Sequence, residues 1–115
     1  MTFKELIQNT TDTFKWAVIE EDVYDDKKGE FIKNYPVYGA FYKDFYCGYW
    51  YKRKFYMFET LDGTDEEVWP DRGDQTIYTS VKQVLKAIPK FKLMIKEAEM
   101  YLKKIEIEKD FKEDK

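Results

Sequence analysis

The chain predicts an α+β domain: a short N-terminal helix, an antiparallel sheet of three to five strands, and a C-terminal helix packed on one sheet face. Three observations carry this. Phe, Tyr and Trp crowd residues 13–79, and rings favour strands. Turn signals, Gly29 and Asp62-Gly63 among them, cut that span into short segments. After Ser80 the apolar spacing changes to the helical period and holds it to Ile105.

The elements follow in order. Thr2 and Glu5 have capping-box spacing, with Phe3, Leu6 and Ile7 on one helical face. Asn9-Thr10-Thr11-Asp12 then reads as a loop. Residues 13–21 read as a strand with two partly apolar faces, because Phe14, Trp16 and Val18 alternate with Lys15, Ala17 and Ile19. Asp25-Asp26-Lys27-Lys28-Gly29 marks a hairpin tip, with Gly29 taking the positive φ. Residues 30–43 hold the next strand. Proline cannot donate to a ladder, so Tyr35-Pro36 demands a sheet edge or a bulge. Residues 45–51 and 55–60 read as two strands joined at an exposed tip, Lys52-Arg53-Lys54. Residues 64–74 form an acidic loop containing Trp69-Pro70, and 75–79 a short last strand.

Ser80 and Gln83 make a second capping box. Val81, Val84, Leu85, Ile88, Ile95, Ala98, Leu102 and Ile105 follow at helical spacing. Leu85, Ile88, Ile95 and Leu102 are expected against the sheet. Pro89 within this pattern predicts one kinked helix or two in series. Residues 1–108 read as a single α+β domain and 109–115 as a frayed charged tail.

Composition narrows the function classes. A chain of 115 residues supports one modest core. Its aromatic share of 19% is far from that of disordered chains. The net charge of −3 argues against a general nucleic-acid-coating protein. One cysteine allows no internal disulfide, and residues 1–12 lack the features of a signal peptide. No apolar stretch nears the roughly 20 residues that span a bilayer. The expectation is a cytoplasmic protein with no membrane partner.

Charge is segregated along the chain. Residues 20–30 carry −4 and residues 59–74 carry −6, whereas 41–56 carry +3 and 82–104 carry +5. Histidine is absent, which removes Ser-His and Cys-His activation and the usual zinc ligand. Cys47 lies among rings and reads as a small buried apolar residue. Asp62, Asp65, Glu66, Glu67, Asp71 and Asp74 are abundant carboxylates, but their spacing fits no EF-hand loop and reads as a solvated surface. Five scattered glycines form no phosphate cradle. Arg72-Gly73-Asp74 reads as a turn. The chain is therefore expected to be no enzyme, with no cofactor and no metal.

Residues 41–58 stand out. Ten of these eighteen are Phe, Tyr or Trp, around the triplet Lys52-Arg53-Lys54. Interfaces are enriched in Tyr, Trp, Phe, Met and Arg, so the first reading is a protein-interaction module. Tyr46, Trp50, Lys52, Arg53, Lys54 and Tyr56 are its candidate binding residues. A continuous strand would place Tyr46, Trp50, Tyr56 and Phe58 on one side and Phe45, Tyr49, Tyr51 and Phe55 on the other. The acidic residues Asp62, Asp65, Glu66, Glu67, Asp71 and Asp74 are the alternative surface. The runner-up function is single-stranded nucleic-acid binding, with bases stacked on the same rings beside the cations. The bland reading is a Tyr-rich sheet whose rings only pack. Phe91, Leu93 and Met94 lie off the main stripe beyond Pro89 and suggest a homodimer seam. In composition the chain is similar to small accessory proteins of phages and mobile elements, a similarity that covers no motif. It implies an inhibitor that docks on a host protein.

Overall fold

Thr2 opens the chain as the sequence requires: its Oγ1 accepts from the Glu5 amide at 3.2 Å, capping α1 (Phe3–Asn9). The computed structural model describes residues 1–24, 28–64, 66–71 and 73–113. The expected turn residues Asp25, Asp26 and Lys27, together with Asp65 and Arg72, lie outside the described residues. Gly29 takes the left-handed conformation expected of it, at φ 66°.

Strands β1 (Lys15–Tyr24), β2 (Phe31–Tyr42), β3 (Phe45–Tyr51) and β4 (Lys54–Phe58) form an antiparallel meander. A short hairpin, β5 (Leu61–Gly63) and β6 (Val68–Pro70), follows. Strand β7 (Gln75–Tyr78) returns to pair with β4, giving the order β1-β2-β3-β4-β7. Helix α2 (Val81–Glu113) closes the fold.

Pro36 sits in an interior strand, yet it breaks no ladder. The β2–β3 pairing starts at Tyr38, so Pro36 lies past the end of β3 and faces only β1. Locally it is at an edge, where a missing amide costs nothing. The outer part of the β1–β2 ribbon therefore runs free of β3. It curls over one sheet face, where Val23 and Val37 pack with Tyr49, Tyr56 and Phe58.

The other face carries the helices. Val84, Ile88, Phe91 and Ile95 repeat at helical spacing and pack with Leu6, Phe14, Cys47, Phe55 and Met57. Two expectations change here. Leu85 is 42% exposed rather than buried, and Phe91, expected off the stripe, is 3% exposed. The buried row of α2 includes Phe91 and leaves Leu85 on the outer side together with Pro89. The helix runs through it unbroken, so the stripe keeps one phase across it. The carbonyl that Pro89 leaves without an amide belongs to Leu85, and both residues lie on the exposed side, where water can satisfy it. Ser80 Oγ accepts from the Gln83 amide at 3.3 Å while Gln83 Oε1 accepts from the Ser80 amide at 3.3 Å, the expected reciprocal cap. Past Glu106, where the apolar stripe fails, the helix continues to Glu113.

Asp62-Gly63 is not the turn it resembles. Both residues lie in β5, and the turn comes after them. Thr64 Oγ1 accepts from the amides of Glu66 and Glu67 at 3.3 and 3.4 Å and builds it. Gly63 serves close approach instead, since a Cβ there would meet the Glu67 carbonyl oxygen at 2.7 Å.

Where the sheet meets α2, Tyr78 Oη donates to Glu59 Oε1 at 3.0 Å, and Lys90 Nζ stands 3.6 Å from Glu59 Oε2. Burial, reinforced by the Glu59 carboxylate, pushes the Tyr78 phenol up to about 12. An unfolded tyrosine titrates near about 10, so the folded state holds this proton more tightly. Its contribution to stability is full below about pH 10 and is lost as pH rises towards about 12. Denaturant unfolding of the wild type and Tyr78→Phe across that window should show their stability difference shrinking. A constant difference would remove Tyr78 from the alkaline transition.

Candidate protein interface

The candidate aromatic surface does not assemble as one patch. Cys47 is the extra residue of a bulge, because the β2–β3 register steps from Ala40↔Gly48 to Phe41↔Tyr46. Alternation is reset there. Tyr46 and Tyr51 both pack against the cluster of Tyr49, Tyr56 and Phe58 on the ribbon-covered face. Trp50 points to the helix face, where its ring stacks 5.6 Å from Phe3.

Each ring is already engaged. Tyr56 is 4% exposed and lies parallel to Tyr49 at 4.8 Å. Tyr46 Oη donates to the buried Glu21 carboxylate at 2.7 Å. Lys52 and Arg53 are exposed and form a two-residue turn with φ 46° and 66°, the type I′ geometry of a tight hairpin. Lys52 Nζ lies 5.3 Å above the half-buried Tyr51 ring. Lys54 is half-buried within β4. Lys52 and Arg53 are the expected tip, whereas Lys54 belongs to the strand and the neighbouring rings belong to the core.

The acidic alternatives support their own hairpin. Asp62 Oδ1 accepts from the Gly63 amide and Asp71 Oδ1 from the Gly73 amide, at 2.8 and 3.0 Å. Glu66 lies 3.8 Å from Lys109 of α2. The Asp74 carbonyl accepts from the Glu59 amide at 2.8 Å. Glu67 and Asp74 expose their side chains. Among the described residues no three His, Cys, Asp or Glu side chains are grouped to hold a metal ion. Cys47 is fully buried, its Sγ donates to the Ala40 carbonyl, and burial pushes its thiol well up.

Apolar surface is exposed elsewhere, on the outer side of α2. Leu93 is 57% and Met100 64% exposed, seven residues apart. With Tyr42 at the end of β2 they floor an open groove of about 640 Å³. Lys43, Lys92, Lys96 and Lys103 rim it, against one carboxylate, Glu99. The Tyr42 ring organises this rim. Lys43 Nζ and Lys92 Nζ lie 5.7 and 5.6 Å from its centroid, and its edge meets Phe91 at 6.5 Å. Lys43 also donates to Glu99 Oε1 at 3.1 Å, which holds its pKa above the ordinary lysine value. Lys92, Lys96 and Lys103 have no carboxylate partner among the described residues.

Part of this groove showed in the sequence: Leu93 falls off the core stripe, and the lysines of residues 82–104 cluster. Tyr42 and Lys43 stood out only as part of the aromatic and basic stretch 41–58, with no sign of a link to α2. Only the β2–β3 turn brings them against α2, 50 residues later in the chain. Among the described residues no helix is long and apolar enough to cross a membrane. No family model, curated protein or solved structure matches this chain.

Proposed function

We propose that this chain is a non-enzymatic protein-interaction module that binds its partner in the groove between the β2–β3 turn and α2. The observation that carries this is the pairing of two well-exposed apolar side chains of α2, Leu93 and Met100, with a rim of cations from α2 and the β2–β3 turn. An apolar floor with a polar rim is the anatomy of a protein interface. Both floor residues project from α2 between Pro89 and its last turns, so the helix itself orders the site.

Photo-cross-linking in the cells that make this protein tests it. Benzoylphenylalanine at Leu93 and at Met100 should give the same protein adduct. At Ile77, exposed on the opposite sheet face beside Tyr56, it should not. Lys96→Glu should remove the adduct at both groove positions. Equal labelling at Ile77, or none at either groove position, would refute the groove.

Single-stranded nucleic acid is the lesser reading. It rests on the exposed cations Lys52 and Arg53 beside Tyr51. Against it stand the burial of Tyr56 and the placement of Trp50 on the other face, which leave the tip without the stacking rings that the reading needs.

A further inference from the structure

We propose that the groove receives an acidic amphipathic helix of a partner protein, with carboxylates facing the lysine rim and apolar side chains seated on Tyr42, Leu93 and Met100. This rests on the groove being the working surface.

Charge complementarity selects the sign. Four ammonium groups face the groove and one carboxylate does, and that carboxylate, Glu99, is already tied to Lys43. The residual positive field favours an anionic guest and repels a basic one. Geometry selects the shape. The rim and floor on α2 run from Lys92 to Lys103, one helical face about 16 Å long. Leu93 and Met100 stand about 10 Å apart along that face, the spacing of apolar residues at i and i+7 on a second helix. An extended peptide would need free main-chain groups. These walls offer no open strand edge, because α2 satisfies its own ladder and Tyr42 pairs with Phe45.

Phosphate backbones and anionic lipid surfaces share the charge but not the fit. Next along α2, a second depression shares Glu99 and Lys103 with the groove and adds Glu66 and Glu106 against Lys109. There carboxylates outnumber lysines, so the positive excess ends within the reach of a nucleic-acid strand or a bilayer plane. A helix of about three turns seated on residues 92–103 stays on the net-positive surface.

Panning a phage-displayed library of random 16-residue peptides against the full chain tests the proposal. Recovered peptides should be richer in Asp and Glu than the unselected library and carry apolar residues at i and i+7. Their binding should weaken about tenfold or more on Lys92→Glu/Lys96→Glu/Lys103→Glu, and similarly when a central proline breaks the peptide helix. Lys82→Glu, distant on the same helix, should leave it unchanged. Neutral or basic peptides, none at all, or indifference to the triple variant would overturn the charge assignment. Indifference to the central proline would overturn the helix. Tighter binding of an oligothymidylate strand, or of phosphatidylcholine vesicles containing one third phosphatidylserine, lost in the same triple variant, would assign the groove to phosphate chemistry instead. These failures are separable from failure of the groove itself. A cross-linked adduct at Leu93 and Met100 through a non-acidic segment keeps the groove and rejects the acidic helix, whereas no adduct rejects both.

Discussion

Phe55→Ala should cost about 3–5 kcal/mol, among the largest single losses expected in this chain. Phe55 is fully buried, with its ring 5.9 Å from Phe14 and 5.8 Å from Trp16, at the centre of the helix-covered face. Truncation would open a cavity between the sheet, the segment after α1, and α2, all of which meet there. Domains of this size hold about 5–15 kcal/mol in total, so a large share of the fold is at stake. Urea unfolding read by circular dichroism gives the value. Leu85→Ala is the comparison. At 42% exposed it should cost under about 1 kcal/mol. Similar losses at both positions would mean that the buried stripe of α2 is misassigned.

Gly48→Ala should be nearly as damaging, for the opposite reason. A Cβ at Gly48 would fall on the Tyr56 carbonyl oxygen, 3.0 Å from Met57 Cα and 3.1 Å from Phe55 Cζ. Two of these neighbours are backbone of β4, which cannot turn aside as a side chain can. The strand would have to move, at a cost of about 1–3 kcal/mol or more. Gly48 also adjoins the Cys47 bulge, so the strain would reach the register that sends Tyr46 and Trp50 to different faces. Gly73→Ala is the control. Among the described residues its nearest neighbour would be an Asp71 carboxylate oxygen at 3.4 Å, and it should be close to neutral. If both glycines tolerate alanine equally, close packing of β3 on β4 is not what requires Gly48.

The groove depends on neither of these positions. Phe55 and Gly48 hold the sheet, whereas Leu93, Met100 and the lysines sit on solvent-facing turns of α2. Substitutions at the groove should therefore change binding while leaving unfolding nearly unchanged. Surface substitutions away from packed features commonly fall within about 0.5 kcal/mol.

Local sequence by itself determined the fold class, the two capped helix starts, the Gly29 turn and the exposed Lys52-Arg53 tip. Each depends on chemistry within a few residues, such as a Ser80 hydroxyl reaching Gln83 or a left-handed glycine. It also determined that ring surface exceeded one core face. Tertiary structure decided where that surplus went. The β1–β2 ribbon outruns β3 and folds back, so the second face is a core as well, and Tyr56 is buried in it. Strict alternation assigned Trp50 to the face of Tyr46, and one inserted residue at Cys47 undid that, because a strand's period of two turns any odd insertion into a change of face. Pro89 read as a break because proline removes one amide. It is absorbed because the orphaned carbonyl of Leu85 lies on the wet side, a fact of packing and not of propensity. The groove is the clearest case: Tyr42 and Lys43 meet Lys92, Leu93 and Met100 only because a hairpin turn and a distant helix face share one place in space, and no local pattern encodes such a meeting.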